Sequence, residues 1–276
     1  MLEVKEFSLV EAFKTRQSIR TYTGSVTSDV HEKIAQIVQE ANKVKGPFGT
    51  FASIDITGAG VGRIGFISNE AGWIVLKIPL EKNGAPDYVH FCIDAAFKAN
   101  IAVMKLTQIG IGTCWVGGTY SQKECERRFP GFKIPCVVAF GFDHERRSMM
   151  DKLINLVKSS GRYDFSVIYF NEEAQAPLKS SENSKLNEIL ECVRWSPSAV
   201  NRQSWRMNIN LPERKFKVFD YYNLSNSYSM FDIGIFISGI YLLTEGKCKF
   251  DVNPSDEKFS TGGKYVCTIY VDEGVF

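Results

Sequence analysis

Apolar residues recur along this chain at helical and strand spacings in turn. Phe7, Val10 and Phe13 share one face of a short helix over residues 7–14. Ser28-Asp29 supplies an N-cap for a helix over 30–43, where Ile34, Ile37, Val38 and Ala41 are apolar, and Gly46 and Pro47 end it. Residues 48–72 are Gly-rich, with short extended pieces around 54–56 and 64–67. WIVLKIPL at 73–80 reads as a buried strand, 83–86 as a turn, 88–108 as a long apolar helix stopped by Gly110 and Gly112, and IPCVVAFGF at 134–142 as a second buried strand. The polar stretch NEEAQAPLKSSENS at 171–184 marks an internal boundary. Beyond it the order restarts: a helix over 185–195, strands over 205–210 and 216–219, an apolar helix over 231–245 and a strand over 265–271. An Asp opens the apolar helix of each half, in CIDAAFKANIAVMKL and in MFDIGIFISGIYLL. The expectation is an internally duplicated α+β fold, with halves 1–175 and 176–276 packed into one compact unit.

Composition narrows the function classes. The chain has 276 residues, 44% of them hydrophobic, and 33 Lys+Arg against 31 Asp+Glu. That is too apolar for a disordered chain, and a net charge of +2 with scattered basic residues argues against nucleic-acid or membrane-surface partners. The longest apolar stretch, 233–243, is about half a membrane span. No apolar core follows a basic start at the N-terminus, and the seven Cys include no CxxC pair, so a cytoplasmic protein with buried free thiols and no metal site is expected.

Four segments could carry chemistry. Gly60-Val61-Gly62-Arg63-Ile64-Gly65 is a literal GxGxxG with Glu81 at a suitable distance, but the following FISNEAGWIVLKIPL does not read as the helix a dinucleotide fold needs. A packed glycine loop is the better reading. Arg16-Gln17-Ser18-Ile19-Arg20 places two guanidiniums around a hydroxyl, which suits a phosphate or a polyhydroxyl chain; two Arg on a solvated helix end is the alternative. SPSAVNRQSW at 196–205 gathers amide, small and aromatic groups that suit a heteroaromatic edge, or forms a helix end and a turn. GIGTCWVGG at 110–118 leaves backbone N–H groups accessible, or is a Gly-rich helix exit. His31, His90 and His144 stand near none of these, and Glu124-Glu126 and Glu172-Glu173 read as solvated faces.

In order and spacing the last three segments resemble the FMN-dependent nitroreductase family, whose members carry R-x-S-x-R/K, then PSxxNxQPW, then a D-x-G helix and GLGTxWxGG. Here the motifs are divided. The first half has RQSIR and IGIGTCWVGG, but VKGPFGTF stands where PSxxNxQPW belongs. The second half has SPSAVNRQSW and FDIG, but TEGKCKF replaces the glycine loop, and Ser204 stands in place of a Pro. In the family one subunit of a homodimer gives R-x-S-x-R and the W-x-GG loop, and the other gives P-S-x-x-N. The divided motifs therefore resemble the single-chain, duplicated branch, an intramolecular pseudo-dimer retaining one flavin site.

The resemblance implies that Arg16, Ser18 and Arg20 hold the FMN phosphate and ribityl chain, helped by Arg162. It places Trp115, Val116, Gly117 and Gly118 beside the isoalloxazine, with the Gly117 and Gly118 amides near N5 and O4. Pro197, Ser198 and Asn201 meet the ring from the second half. No acid–base catalytic residue is implied, because the flavin carries the chemistry. The implied activity is reduction of nitroaromatic or quinone acceptors by NADH or NADPH, in a monomer. A flavin-binding or flavin-sensing protein without turnover is the alternative.

Overall fold

Ser8 begins the first helix, α1 (Leu9–Thr15): its Oγ accepts from the Glu11 N–H at 3.2 Å, while the Glu11 carboxylate accepts from the Ser8 N–H at 2.8 Å. The computed structural model describes residues 6–62, 66–144, 161–222 and 228–276. Helix α2 (Ser28–Lys43) buries Ile34, Val38 and Ala41. Strands β1 (Ser53–Thr57) and β2 (Gly72–Pro79) form an antiparallel pair ahead of the long helix α3 (Tyr88–Gln108). Then come β3 (Gly112–Val116), α4 (Gln122–Arg128), β4 (Phe132–Lys133) and β5 (Val137–Gly141). The rest of the chain gives α5 (Phe165–Ile168), β6 (Tyr169–Asn171), β7 (Ala176–Pro177), α6 (Ser184–Arg194), β8 (Trp205–Asn210), β9 (Lys215–Asp220), α7 (Ser229–Leu243), β10 (Cys248–Asp251) and β11 (Lys264–Val271).

The strands form two sheets. The first runs β1-β2-β5-β3, with β4 on β2, and the second runs β10-β11-β9-β8-β6-β7. Within the second, β8-β9-β11-β10 follows the same path as β1-β2-β5-β3, with each of those pairings antiparallel and the long helix placed after the second strand. Among the described residues only the β6–β8 pair of strands is parallel. The polar stretch expected to divide the halves is partly strand: the β6–β7 hairpin belongs to the second sheet, so a cut after residue 175 passes through it.

WIVLKIPL is apolar apart from Lys77, which pairs with Asp55 at 3.0 Å, because both of its faces are covered. Ile74, Leu76 and Ile78 join the main core, and Trp73 and Val75 a smaller one with Ile19, Tyr22, Cys114 and Val137. The main core also takes Met207, Ile209, Phe216 and Val218 of the second sheet and the apolar sides of α3 and α7. Helices α3 and α7 therefore serve both halves. At their crossing Gly234 is bare because a Cβ there would fall against the Ile93 carbonyl and 2.9 Å from the Ala96 methyl. Close by, the buried Asn100 amide donates to Ser238 Oγ at 2.9 Å and to the Ile235 carbonyl at 3.3 Å. Among the described residues no helix is long and apolar enough to cross a membrane.

The close crossing predicts that Gly234→Ala lowers the unfolding free energy by about 1–3 kcal/mol through overpacking. Gly58→Ala, whose Cβ would meet nothing within 4 Å, should change it by less than about 0.5 kcal/mol. Urea denaturation of both variants checks the difference.

Candidate functional site

The turn that leaves α6 for β8 is built from backbone conformations that side chains rarely adopt. Val200, Asn201 and Gln203 have φ of 46°, 58° and 51°, and Val200, β-branched, is 81% exposed. Such a turn persists only where its surroundings hold it. Asp232 on α7 accepts from the Ala199 N–H at 2.8 Å, and Ser198 Oγ accepts from the Gln203 N–H at 3.0 Å. Arg206 donates from Nη1 to the carbonyls of Gln203 at 2.8 Å and Trp205 at 2.6 Å. Its guanidinium lies between the rings of Tyr163 and Tyr221, 5.3 and 4.9 Å from their centroids.

The same turn grips the segment after residue 160. Asn201 donates through Nδ2 to the Gly161 carbonyl at 2.8 Å, and Gln203 Oε1 accepts from the Tyr163 N–H at 2.9 Å. Arg162 donates from Nη1 to Asn201 Oδ1 and from Nη2 to the Trp195 carbonyl at 3.1 Å. Its guanidinium also lies over the Trp195 ring, 5.4 Å from the centroid.

The third part comes from the N-terminus. Arg16 caps the C-terminal end of α1, and the residues after it run along β3: Ser18 bridges to Thr113, and the Ile19 N–H donates to the Thr113 carbonyl at 2.9 Å. Gly112 has no side chain where Ile19 packs on it; a Cβ there would stand 2.8 Å from Ile19 Cγ1. The Arg20 carbonyl accepts from the Ser68 N–H at 2.9 Å.

This arrangement leaves buried donors without partners among the described residues: Arg16 Nη1, Arg162 Nε and Trp115 Nε1. Burial together with the charge of Arg162 lowers the Arg16 pKa to about 10. Burial and the charge of Arg194 lower that of Arg162 to about 10. Two cations that repel each other, with unused N–H groups, form a site that an anion would relieve.

The structure thus brings together Arg16, Arg162 and Asn201, and it sets Ser18 beside β3, which carries Trp115 and Val116. Val116 turns into the smaller core, and its carbonyl accepts from the Cys136 thiol at 3.5 Å, so it has no side chain to offer a ligand. Gly117 and Gly118 follow the strand and lie beneath Tyr228, whose Oη donates to the Gly117 carbonyl at 3.0 Å. Pro197 and Ser198 sit in the strained turn. In the GxGxxG segment, Gly62 bridges to Tyr120 and residues 63–65 lie outside the described residues. His90 stacks on Phe48 with centroids 4.1 Å apart, away from this cluster. Two open clefts, of about 480 and 680 Å³, lie elsewhere, beside α2 and β1 and over β8 and β9.

A family model described as "Putative TM nitroreductase" matches residues 8–244. The chain belongs to this family. It also shares its fold with a nitroreductase from Thermotoga maritima MSB8, at 17% identity and a TM-score of 0.60, over 96% of this chain and 94% of that one. A nitroreductase family protein from Clostridium novyi NT matches 53% of this chain and 91% of its own, at 17% identity and a TM-score of 0.41. One from Exiguobacterium sibiricum 255-15, solved in complex with FMN, matches 54% of this chain and 97% of its own, at 12% identity and a TM-score of 0.40. No curated protein matches the chain.

Several residues of the cluster were not legible as site residues in the sequence. Trp195 precedes the motif and its carbonyl holds Arg162, and Tyr228 reaches Gly117 across 111 positions; Gln203, within the motif, holds the Tyr163 N–H. Asp232 was visible as the Asp opening a helix, but not as the acceptor for the turn. Asp94 on α3 likewise accepts from loop N–H groups, those of Phe48 at 3.0 Å and Thr50 at 2.7 Å.

Burial raises the Asp232 carboxyl to about 8, and burial likewise raises Asp220, which accepts from Ser229 Oγ at 3.0 Å, to about 7. For Asp232 the folded value lies above the unfolded one, so the stability it contributes is complete below about pH 4 and is lost as pH rises through about 8. Asp232→Asn keeps an acceptor oxygen for Ala199 but cannot titrate. The variant should lose up to about 1.4 kcal/mol per pH unit of the wild-type decline between pH 6 and 8, as urea denaturation at a series of pH values will show.

Proposed function

We propose that this chain is an FMN-dependent oxidoreductase that uses NADH or NADPH to reduce nitroaromatic or quinone acceptors. The observation that carries this reading is the convergence of Arg16 and Arg162 with unpartnered buried N–H groups, beside a strained turn held for no other evident purpose. A phosphate monoester fits the two forks, because guanidinium–phosphate bonds are charge-assisted and planar. Family membership supports reading that anion site as one for FMN: Arg16, Ser18, Arg20 and Arg162 would hold the phosphate and ribityl chain. Trp115, Val116 (through its backbone), Gly117, Gly118, Pro197, Ser198 and Asn201 would border the ring. FMN would supply two-electron chemistry, accepting hydride from the reduced nicotinamide and giving it to the acceptor. The protein's own part is to hold the ring between the glycine loop and the turn and to present N–H groups to it.

The repeated strand path supports the reading of a duplicated chain whose halves, within 1–175 and 176–276, stand in for the two subunits of a dimer. The paired Asp94 and Asp232 support it as well, since each anchors the loop between a helix and the first strand of the repeated path, β1 or β8. Only the second half's loop carries Pro197, Ser198 and Asn201, and only the first half supplies Arg16, Ser18 and the Gly117-Gly118 loop. One complete site per chain follows, and a monomer suffices to form it.

Titration of the full chain with FMN, followed by flavin fluorescence, should saturate at one FMN per chain. NADH should bleach the bound flavin, and menadione or a nitroaromatic should restore its colour. Arg16→Ala should weaken FMN binding by roughly 10- to 100-fold, the range for losing a charge-assisted hydrogen bond. Binding of two FMN per chain would overturn the single-site reading, and a loaded chain that NADH cannot bleach would leave a flavin-binding role without turnover.

A further inference from the structure

Strand β3 ends at Val116, so the sheet holds neither Gly117 nor Gly118. What fixes this loop instead is Tyr228, at the N-terminal cap of α7 in the second half. Its Oη donates to the Gly117 carbonyl at 3.0 Å, and its ring lies so close that a Cβ on Gly117 would stand 2.6 Å from Cε1. The phenol is 44% exposed and its ring is braced by Phe231, with centroids 6.2 Å apart.

The Gly117 carbonyl and the Gly118 N–H belong to one peptide plane and point in opposite directions. A hydrogen bond that fixes the carbonyl therefore fixes the N–H as well. The Gly118 N–H makes no hydrogen bond among the described residues, and Gly118 is exposed, so this donor is open to a ligand on the side away from the phenol. We propose that Tyr228 is a positioning residue: by holding the Gly117 carbonyl it aims the Gly118 N–H at the flavin ring and so raises the flavin's reduction potential. The inference rests on the FMN reading above. A donor held at the ring edge favours the electron-rich form of the ring, and losing its anchor lets it turn away. The absence of a side chain at position 117 gains a second reason, since any Cβ would displace the phenol.

The test uses the full chain loaded with FMN, comparing wild type with Tyr228→Phe, which removes the hydroxyl and keeps the ring. The expected result is a lower midpoint potential of the bound flavin by dye equilibration and a shifted visible absorption band. Reduction by NADH should slow by roughly three- to ten-fold, as one hydrogen bond is lost, with the FMN dissociation constant within two-fold of wild type. Gly117→Ala, which pushes the phenol off the loop, should lower the potential in the same direction. If both variants bind FMN and keep the wild-type potential and spectrum, the proposal is overturned and the FMN reading stands. If wild type takes up no FMN, the FMN reading itself fails, and this inference with it.

Discussion

The crossing of α3 and α7 is the contact on which the molecule depends. Gly234 lets the two backbones approach until the Ile93 carbonyl fills the place of a Cβ, and Asn100 ties the helices through Ser238 and Ile235. Each helix also supports its own sheet, so the crossing fixes one sheet relative to the other. A buried amide is costly if its partners move, which makes this register specific as well as close. The site inherits that specificity. Its anchors Asp232 and Tyr228 stand at the start of α7, whereas Trp115 to Gly118 follow from α3 through β3, and the crossing sets the spacing between them.

A second constraint acts on the turn after α6. Left-handed Val200, Asn201 and Gln203 are costly, and the surrounding bonds to Asp232, Ser198 and Arg206 offset that cost. Asp232 and Arg206 are themselves buried, and Arg206 is stacked as well. Buried polar atoms without partners among the described residues include those of Arg16, Arg162 and Trp115, and others lie on Thr113, Ser196, Trp205, Asn100 and Asn208. Of these the two guanidiniums are charged, and a buried charge is the costliest group to leave unmatched.

Much of the fold could be read directly from apolar periodicity. Helix α3 over Tyr88–Gln108 and strand β8 over Trp205–Asn210 stand where the pattern places them, the helix as a long apolar run and the strand as Trp205, Met207 and Ile209 alternating with polar residues. Other elements were hidden for physical reasons. Gly112–Val116 reads as a glycine-rich exit but is strand, since bare Gly112 is what lets Ile19 pack on it. Strand β10, Cys248–Asp251, is a short edge strand carrying charge, and α4 has a single buried residue, Cys125, so neither shows a core stripe. Among site residues, Arg16, Ser18 and Asn201 stood out by motif. Trp195 and Tyr228 act through neighbours set by tertiary structure, and no local spacing reveals them.

Both sheets, though they trace one path, are encoded in a single chain. In a symmetric homodimer every substitution appears twice, once in each subunit, so a change that helps one ligand pocket must be tolerated in the other. Here a change in β1 leaves β8 as it was, and a residue placed in the 196–205 turn has no twin in the 46–51 loop. Asp94 and Asp232 differ in this way: one carboxylate accepts from Phe48 and Thr50, and the other from Ala199, at the start of the strained turn through Val200, Asn201 and Gln203. The two sheets can therefore change independently of each other, since no symmetry copies a substitution made in one into the other.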